Sequence, residues 1–350
     1  MKRPTMADIA RRAGVSKVAV SYALNDQPGV SDATRAAVKS IAAELGWRPS
    51  SAARALTGGR AQAVGLAVRR PARTLGVEPF FMEFISGVES ALSERSYALM
   101  LQMVGSQDGE IEVCRRWWGE RRVDGVFLMD LLGEDARVPA IEALGLPAVV
   151  VGPPEAAGSL PAVWSDDGAS VHEIVRYLAV LGHRRIARVA GPAELSHTRI
   201  RDAALRAACR EAGIPEAGVV HTDYTGEAGA RATRALLIAP ERPTAIVFDN
   251  DIMAVAALSV AQELGLSIPA DLSLVAWDES PLTQVVRPVL SAVTRDIPAY
   301  GARAANALLA LIAGETVGHI REGYAHFAPR GSTCPPPGGQ AEALQGASPT

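Results

Sequence analysis

From residue 61 onward the chain alternates short apolar runs with helical patterns, and no other feature restricts the fold as strongly. Residues 63–68, 97–104, 125–129, 148–151, 186–190, 219–221, 245–248 and 272–276 read as buried strands. Residues 82–94, 169–181, 200–212 and 253–264 carry helical patterns between them. Alternation of this kind implies parallel sheets with helices on both faces. The number of units predicts two lobes, the first holding residues 61–161 and 292–330 and the second residues 162–291. Residues 296–313 and a last strand near 325–329 are expected to return to the first lobe. The tail, residues 331–350, contains Pro335-Pro336-Pro337-Gly338-Gly339 and is expected to be disordered.

Composition removes several classes. No run of about 18 apolar residues is present, and Met1-Lys2-Arg3-Pro4 leads into no apolar signal segment. A cytosolic protein without a membrane span is the expectation. Cys114, Cys209 and Cys334 are odd in number and far apart, which disfavours a disulfide framework or a zinc knuckle. The six histidines show no metal-binding spacing, and neither a phosphate loop nor a nucleophile elbow occurs. Asp249 and Asp251 could be a catalytic pair, but nothing near them supplies a nucleophile. No catalytic residue, metal or cofactor is therefore predicted. Arg115-Arg116-Trp117-Trp118 reads as a packed and solvated helix face, not as a nucleic-acid site.

Charge separates the first 60 residues from the rest. They hold ten Lys/Arg against four Asp/Glu, while the remaining 290 hold 25 against 34. A basic head on an acidic body suggests a module for a polyanion. The head is punctuated as three helices: Thr5 before the first, Gly14 after it, Ser16 before the second, Ser31 before the third and Gly46 at its end. Two short helices joined by Ala13-Gly14-Val15 form a helix-turn-helix pattern. Val20, Ala23 and Leu24 fall on one face of the second helix, to pack on Ile9, Ala10, Val38 and Ile41. Lys17, Val18, Ser21 and Tyr22 fall on the other. Lysine can donate to guanine O6 and N7, and Val and Tyr can touch thymine methyls, so this face suits a major groove. Thr5, Ser16, Ser21 and Asn25 are placed for phosphates. The alternative is a three-helix protein-binding module.

The segments Thr5-Met-Ala-Asp-Ile-Ala-Arg-Arg-Ala-Gly-Val-Ser16, Ala19-Val20-Ser21-Tyr22-Ala23-Leu24-Asn25, Val30-Ser31-Asp32-Ala33-Thr34-Arg35 and Leu45-Gly46-Trp47-Arg48-Pro49-Ser50 resemble the head of the lactose-repressor/galactose-repressor (LacI/GalR) family. The similarity runs to about Arg330. It implies a small all-α helix-turn-helix head (residues 1–47), a hinge helix (48–60) and an α/β two-lobed sensor of periplasmic-binding-protein type (61–330). Residues 52–56 favour helix and Gly58-Gly59 stop it, but two turns are marginal alone in water. In the family, paired hinge helices enter the minor groove and a leucine wedges a base step. The matching residue is Leu56, with Ala53 beside it; a plain linker with Leu56 tucked on the body is the alternative.

In open α/β folds ligands sit beyond the carboxyl ends of strands. Those positions hold Arg69 (of the pair Arg69-Arg70), Asp130, Asp249 and Asp278, with Arg199 and Tyr224 on neighbouring loops. Carboxylates accepting from hydroxyls, an arginine fork and an aromatic ring suit a sugar or sugar derivative. The resemblance supports Arg199, Tyr224, Asp249 and Asp278 individually, with Asp249 standing where the family usually has Asn. Asp166-Asp167 reads as a crossover and helix start, and an ion pair between Asp278 and Arg199 is the bland alternative for those two. The tail lacks the leucine heptads some relatives use to tetramerise, so a homodimer is expected. The chain is thus expected to be a transcriptional regulator, a repressor, that binds double-stranded operator DNA in the cytoplasm under a carbohydrate effector. A sugar-binding protein without a DNA role is the rival.

Overall fold

The computed structural model describes residues 4–47, 59–70, 78–215, 217–323 and 325–337. The chain divides into two units, Met1–Ala61 and Gln62–Thr350.

Among its described residues, the first unit holds three helices: α1 (Met6–Ala13), α2 (Lys17–Leu24) and α3 (Asp32–Glu44). Each starts where the sequence supplies a cap. Thr5 and Asp8 bond reciprocally across the first turn of α1, with Thr5 N donating to Asp8 Oδ2 at 2.9 Å. Ser16 Oγ accepts from Ala19 N at 3.1 Å, and Ser31 Oγ accepts from Thr34 N at 3.3 Å. Gly14, at φ +67°, closes α1 and turns the chain into α2. Ile9, Ala10, Val20, Ala23, Val38 and Ala42 form the core, with Leu24 and Ile41 packed beside it, as the periodicity predicts.

The second unit contains two six-stranded sheets. The first has the order β11-β5-β4-β3-β1-β2 and is parallel throughout. Its strands are β1 (Ala63–Val68), β2 (Ala98–Met103), β3 (Gly125–Leu128), β4 (Ala148–Val151), β5 (Ala162–Trp164) and β11 (Ile320–Arg321). The helices α4 (Pro79–Glu94), α5 (Gln107–Gly119), α6 (Arg137–Leu144) and α12 (Ile297–Ala313) cover it. The second has the order β12-β10-β9-β8-β6-β7, from β6 (Ile186–Ala190), β7 (Gly218–His221), β8 (Ala245–Phe248), β9 (Ser273–Ala276), β10 (Ser291–Thr294) and β12 (His326–Ala328). Only β12 runs antiparallel in it. Its helices are α7 (Asp167–Val180), α8 (Ser196–Glu211), α9 (Gly226–Ile238), α10 (Asp251–Glu263) and the short α11 (Pro281–Val285). Strands β1, β3 and β4 are buried along their whole length, as parallel central strands covered on both faces must be.

Close helix contact in the first lobe depends on two glycines. A Cβ on Gly87 of α4 would fall 1.9 Å from Pro298 O, and one on Gly301 of α12 would fall 2.2 Å from Phe84 O. Any side chain there forces α4 and α12 apart.

Three expectations are corrected. Residues 162–164 lie in the first lobe, because β5 pairs with β4 and the chain crosses only after Trp164, and residues 292–294 lie in the second, because β10 pairs with β9. The final strand does not return to the first lobe: β12 pairs with β10, so only α12 and β11 return, and the chain crosses three times. Strands β5 and β11 are three and two residues long, too short for a periodicity to show. Residues 331–337 are ordered, against the expected disorder from Gly331. Ser332 is fully buried beside β9, where its Oγ donates to Leu274 O and its carbonyl accepts from Leu274 N at 2.9 Å. Among the described residues, no helix is long and apolar enough to cross a membrane.

Candidate functional site

The head presents one coherent face. Lys17, Val18 and Tyr22 are exposed on α2, with Val18 at 61%. Lys17 occupies the first helical position, where the helix dipole disfavours a cation, so local helix energetics do not account for it. Tyr22 packs its ring edge over Gly29, which holds the aromatic in place beside Val18. Ser16, Ser21, Asn25 and Thr5 surround this face. All four have local partners: Ser16 caps α2, Asn25 Nδ2 donates to Ser21 O at 2.9 Å and to Ser21 Oγ at 3.5 Å, and Thr5 Oγ1 donates to Asp8 at 2.7 Å. The predicted wedge, Leu56 with Ala53, lies outside the described residues.

In the second unit a cleft of about 560 Å³ opens between the lobes at the carboxyl ends of both sheets. Asp130, Tyr224 and Asp278 follow β3, β7 and β9 there with φ of 51°, 67° and 63°. Left-handed backbone at non-glycine residues is costly and tends to gather at functional sites. Beside the cleft the lobes bond directly. Ser196 N donates to Leu131 O at 2.8 Å, Ser196 Oγ donates to Leu132 O at 2.8 Å, and Leu132 bridges Leu195.

Of the six predicted effector residues, five line the cleft. Arg69 does not: neighbouring residues leaving a strand point to opposite sides, and Arg70 faces inward. Arg70 donates to Asp130 Oδ2 at 3.0 Å, pairs with Glu78 at 3.2 Å, and lies 4.5 Å from the Tyr224 ring centroid on the other lobe. Arg199 lines the cleft but is exposed, with its guanidinium against Gly133, where a Cβ would fall 2.1 Å from Nη1. The buried arginine is Arg201, about half a turn further round α8. It pairs with Asp167 at 2.7 Å and lies 3.7 Å from the Trp277 ring centroid. Asp166 and Asp167 do start α7, Asp166 as its cap through Ala169 N at 2.9 Å and Asp167 as its first residue, and Asp167 in addition holds Arg201.

Asp249 is buried, and its oxygens are already engaged. It accepts from Arg188 at 2.9 and 2.6 Å and from Gly191 N at 2.9 Å. Arg188, on β6, also bonds Asp202, so Asp249 belongs to a charge network beneath the cleft floor. The Arg188 guanidinium beside Asp249 holds its carboxyl below the usual range in spite of burial. Asp278 is paired, but with Arg295 at 2.8 and 2.9 Å and not with Arg199. Arg295 stands on the crossover between β10 and α12 and lies 5.0 Å from the Phe80 ring centroid. The Tyr224 hydroxyl and His197 Nε2 share a hydrogen bond of 2.7 Å. Burial, with Arg201 nearby, lowers the His197 pKa to about 4, so its ring is neutral at pH 7. Burial pushes the Glu78 carboxyl up to about 7 against the pull of Arg70.

Arg201, Arg295, Glu78 and Trp277 were not assigned to the cleft from the sequence, and of the pair Arg69-Arg70 the wrong member was chosen. Their one available signal was position: Arg70, Trp277 and Arg295 follow strands within two residues. The arrangement suits a polar, ring-shaped ligand, with paired planar groups on the walls and Phe80, Trp277 and Tyr300 for its apolar faces. Among the described residues, no group of three or more His, Cys, Asp or Glu could hold a metal ion.

Comparison with known proteins bears on both units of the chain. Residues 5–50 match the model of bacterial regulatory proteins of the lacI family, and residues 175–333 match a periplasmic binding protein-like domain. The chain is 33% identical to the HTH-type transcriptional regulator CelR of Thermobifida fusca, over 91% of this chain and 95% of that protein. It is 33% identical to the transcriptional repressor CytR of Escherichia coli K12, covering 90% and 91%. Among solved structures, the Lac repressor dimer bound to operator and the anti-inducer ONPF superposes with a TM-score of 0.83 at 26% identity, over 95% of this chain and 100% of that one. A CelR–cellobiose complex superposes with a TM-score of 0.70 at 31% identity, over 94% and 100%.

Proposed function

Because this chain belongs to the LacI family of bacterial regulatory proteins and is a transcriptional regulator, we propose that it is a repressor which binds a pseudo-palindromic operator as a homodimer and answers to a carbohydrate effector in the cleft. The exposed Lys17, Val18 and Tyr22 on α2 carry the DNA half of this reading. The exposed Val and the dipole-opposed Lys contribute little to folding, and with the half-exposed Tyr ring they match the donors and methyl contacts of a major groove. Thr5, Ser16, Ser21 and Asn25 sit around them for phosphates, and Leu56 with Ala53 is assigned the minor-groove wedge. Solved relatives support the rest: one is an operator-bound dimer and another holds cellobiose. Edge strand β2 exposes Leu101 and Met103, with Met82 exposed on neighbouring α4, and such an apolar edge suits a second copy of this chain.

Asp130, Tyr224, Asp278 and Arg199 remain the proposed effector contacts, joined by Arg70 and Arg201. Asp249 acts by holding Arg188 and the Gly191 turn. A ligand that draws the lobes together alters the Leu131–Ser196 contact between them, and through that closure couples the effector to DNA affinity. The test is an operator titration across salt concentrations, with and without a sugar panel. We expect a log–log salt slope of roughly −5 to −9, from about 6–10 neutralised phosphates, and at least one sugar that changes operator affinity. A flat slope overturns the DNA assignment, and a panel without any effect overturns the effector assignment.

A further inference from the structure

The loop after β3, residues 129–136, serves both lobes at once. Within its own lobe it carries Asp130, at φ 51°, to the cleft and to Arg70. Toward the other lobe it gives the Leu131 carbonyl to Ser196 N and the Leu132 carbonyl to Ser196 Oγ, each at 2.8 Å, and Leu132 bridges Leu195. Gly133 of the same loop receives the Arg199 guanidinium. These contacts fall at the start of α8, whose N-cap is the apolar Leu195, without a side-chain cap. The first N–H groups of a helix have no partner inside it. One lobe therefore supplies part of the cap that a helix of the other lacks.

Arg137, the first residue of α6, holds this loop in shape. It is 3% exposed and does not line the cleft. Its Nε and Nη2 donate to the two oxygens of Asp135 at 2.9 and 2.7 Å, Nη2 also to Asp130 O at 3.1 Å, and Nη1 to Glu110 Oε1 at 2.9 Å. Asp135 in turn accepts from Leu132 N at 2.9 Å and from Gln107 Nε2 at 2.8 Å. The fork thus ties down the carbonyl of Asp130 and, through Asp135, the amide of Leu132, on either side of Leu131. Stability alone does not account for three buried charges here, since apolar residues of similar volume are often as stable. An apolar filling could not fix a left-handed residue and the two carbonyls after it in one shape, which takes directed hydrogen bonds.

We propose that Arg137 is a positioning residue for the response of the sensor: it sets how firmly the lobes stay joined, although every hydrogen bond it makes lies within the first lobe. This rests on the effector reading given above and deepens it. A ligand that engages Asp130 acts on the same braced loop that joins Leu131 and Leu132 to α8. Binding in the cleft and contact between the lobes therefore favour each other. Loosening the brace weakens both.

Hydrogen exchange of single amides on the full chain, without ligand, tests this. The Ser196 amide reports the contact between the lobes, and amides of β6 and β8 report the second lobe itself. In Arg137→Met we expect the Ser196 amide to exchange about tenfold or more faster while β6 and β8 stay protected. Asp135→Asn should move it in the same direction by less. Arg137→Lys, which keeps the charge but not the fork, should fall between wild type and Arg137→Met. An unchanged Ser196 rate in the folded variants overturns the proposal. So does a rise of equal size in β6 and β8, which would mean that the whole sensor has lost stability. If Arg137→Met does not fold, Asp135→Asn and Arg137→Lys decide by the same criterion. The measurement needs no effector, so a sugar panel without effect overturns the effector reading and leaves the exchange rates to decide the role of Arg137.

Discussion

The recognition face of α2 and the floor of the cleft are both polar surfaces, but they are built in opposite ways. On α2, Lys17, Val18 and Tyr22 stand exposed and contribute little to the fold. In the cleft floor and directly beneath it, Arg201, Asp249 and Arg188 are almost completely buried, and each is held by another charge. A surface that reads a large external partner can leave its side chains free. A pocket that must hold a small polar ligand in a dry setting has to organise its charges beforehand, because a buried unpaired ion is prohibitive. Substitutions on the head should therefore change binding without changing stability, whereas substitutions in the cleft should change both.

The largest expected effect tests the cleft side of this comparison. Arg188 is 1% exposed and bonds Asp249 and Asp202 together. Arg188→Leu leaves two buried carboxylates without their shared cation and should cost about 3–5 kcal/mol of stability in denaturant unfolding. A loss under about 1 kcal/mol would show that water already screens the network, and the contrast with the head would fail.

Next comes Lys17→Ala. Operator affinity should drop by about 1–3 kcal/mol, with relaxed preference at one base pair per half-site. Melting should stay the same or rise slightly, since the substitution removes a cation from a helix N-terminus. Uniform weakening across all sequences would reassign Lys17 to a phosphate.

The same contrast explains what could be read before the fold was known. The three head helices, their caps and their free face follow from local signals alone: Thr5, Gly14, Ser16 and the i, i+4 spacing. Among the twelve strands of the described residues, eight announce themselves as short apolar runs, seven of them four residues or longer. Strands β5, β10 and β11 do not, and β12 was expected as a strand but in the wrong lobe, because its pairing across a crossover is not written in its own sequence. The cleft was legible only as a set of positions. Asp130, Tyr224 and Asp278 follow strand ends and were found, but their partners, Arg70 and Arg295, depend on which way a side chain leaves its strand. Arg199 was chosen over Arg201 because both lie on α8, and only packing decides which side of that helix is buried.

A third effect concerns protons. The Glu78 carboxyl titrates near 7 in the folded chain, above its ordinary 4.5. The folded state thus holds this proton more tightly than the unfolded state. The resulting stability is fully present below pH 4.5 and is lost as pH rises through 7. Glu78→Gln should flatten that decline by about 1–2 kcal/mol between about pH 5 and pH 8. Glu110, also raised to about 7, and His197, lowered to about 4, titrate in both proteins, so the difference between them isolates Glu78. Parallel pH profiles of melting temperature would mean that Arg70 keeps Glu78 ionised throughout.

The smallest effect is the sharpest, because its two readouts should move in opposite directions. Val18 lies in the first turn of α2 with 61% of its surface exposed. It packs too little to stabilise the head, and as a β-branched residue it is a poorer helix former than alanine. Val18→Ala should therefore leave the isolated protein unchanged or more stable by a few tenths of a kcal/mol. In the groove the same change removes two methyl groups from contact with thymine, where each buried methyl contributes up to about 0.8 kcal/mol. Operator affinity should fall by about 1 kcal/mol or less, and only where a thymine stands at the contacted position. Stability and affinity falling together would mean that Val18 supports the fold of the head, and its assignment to base reading would be withdrawn.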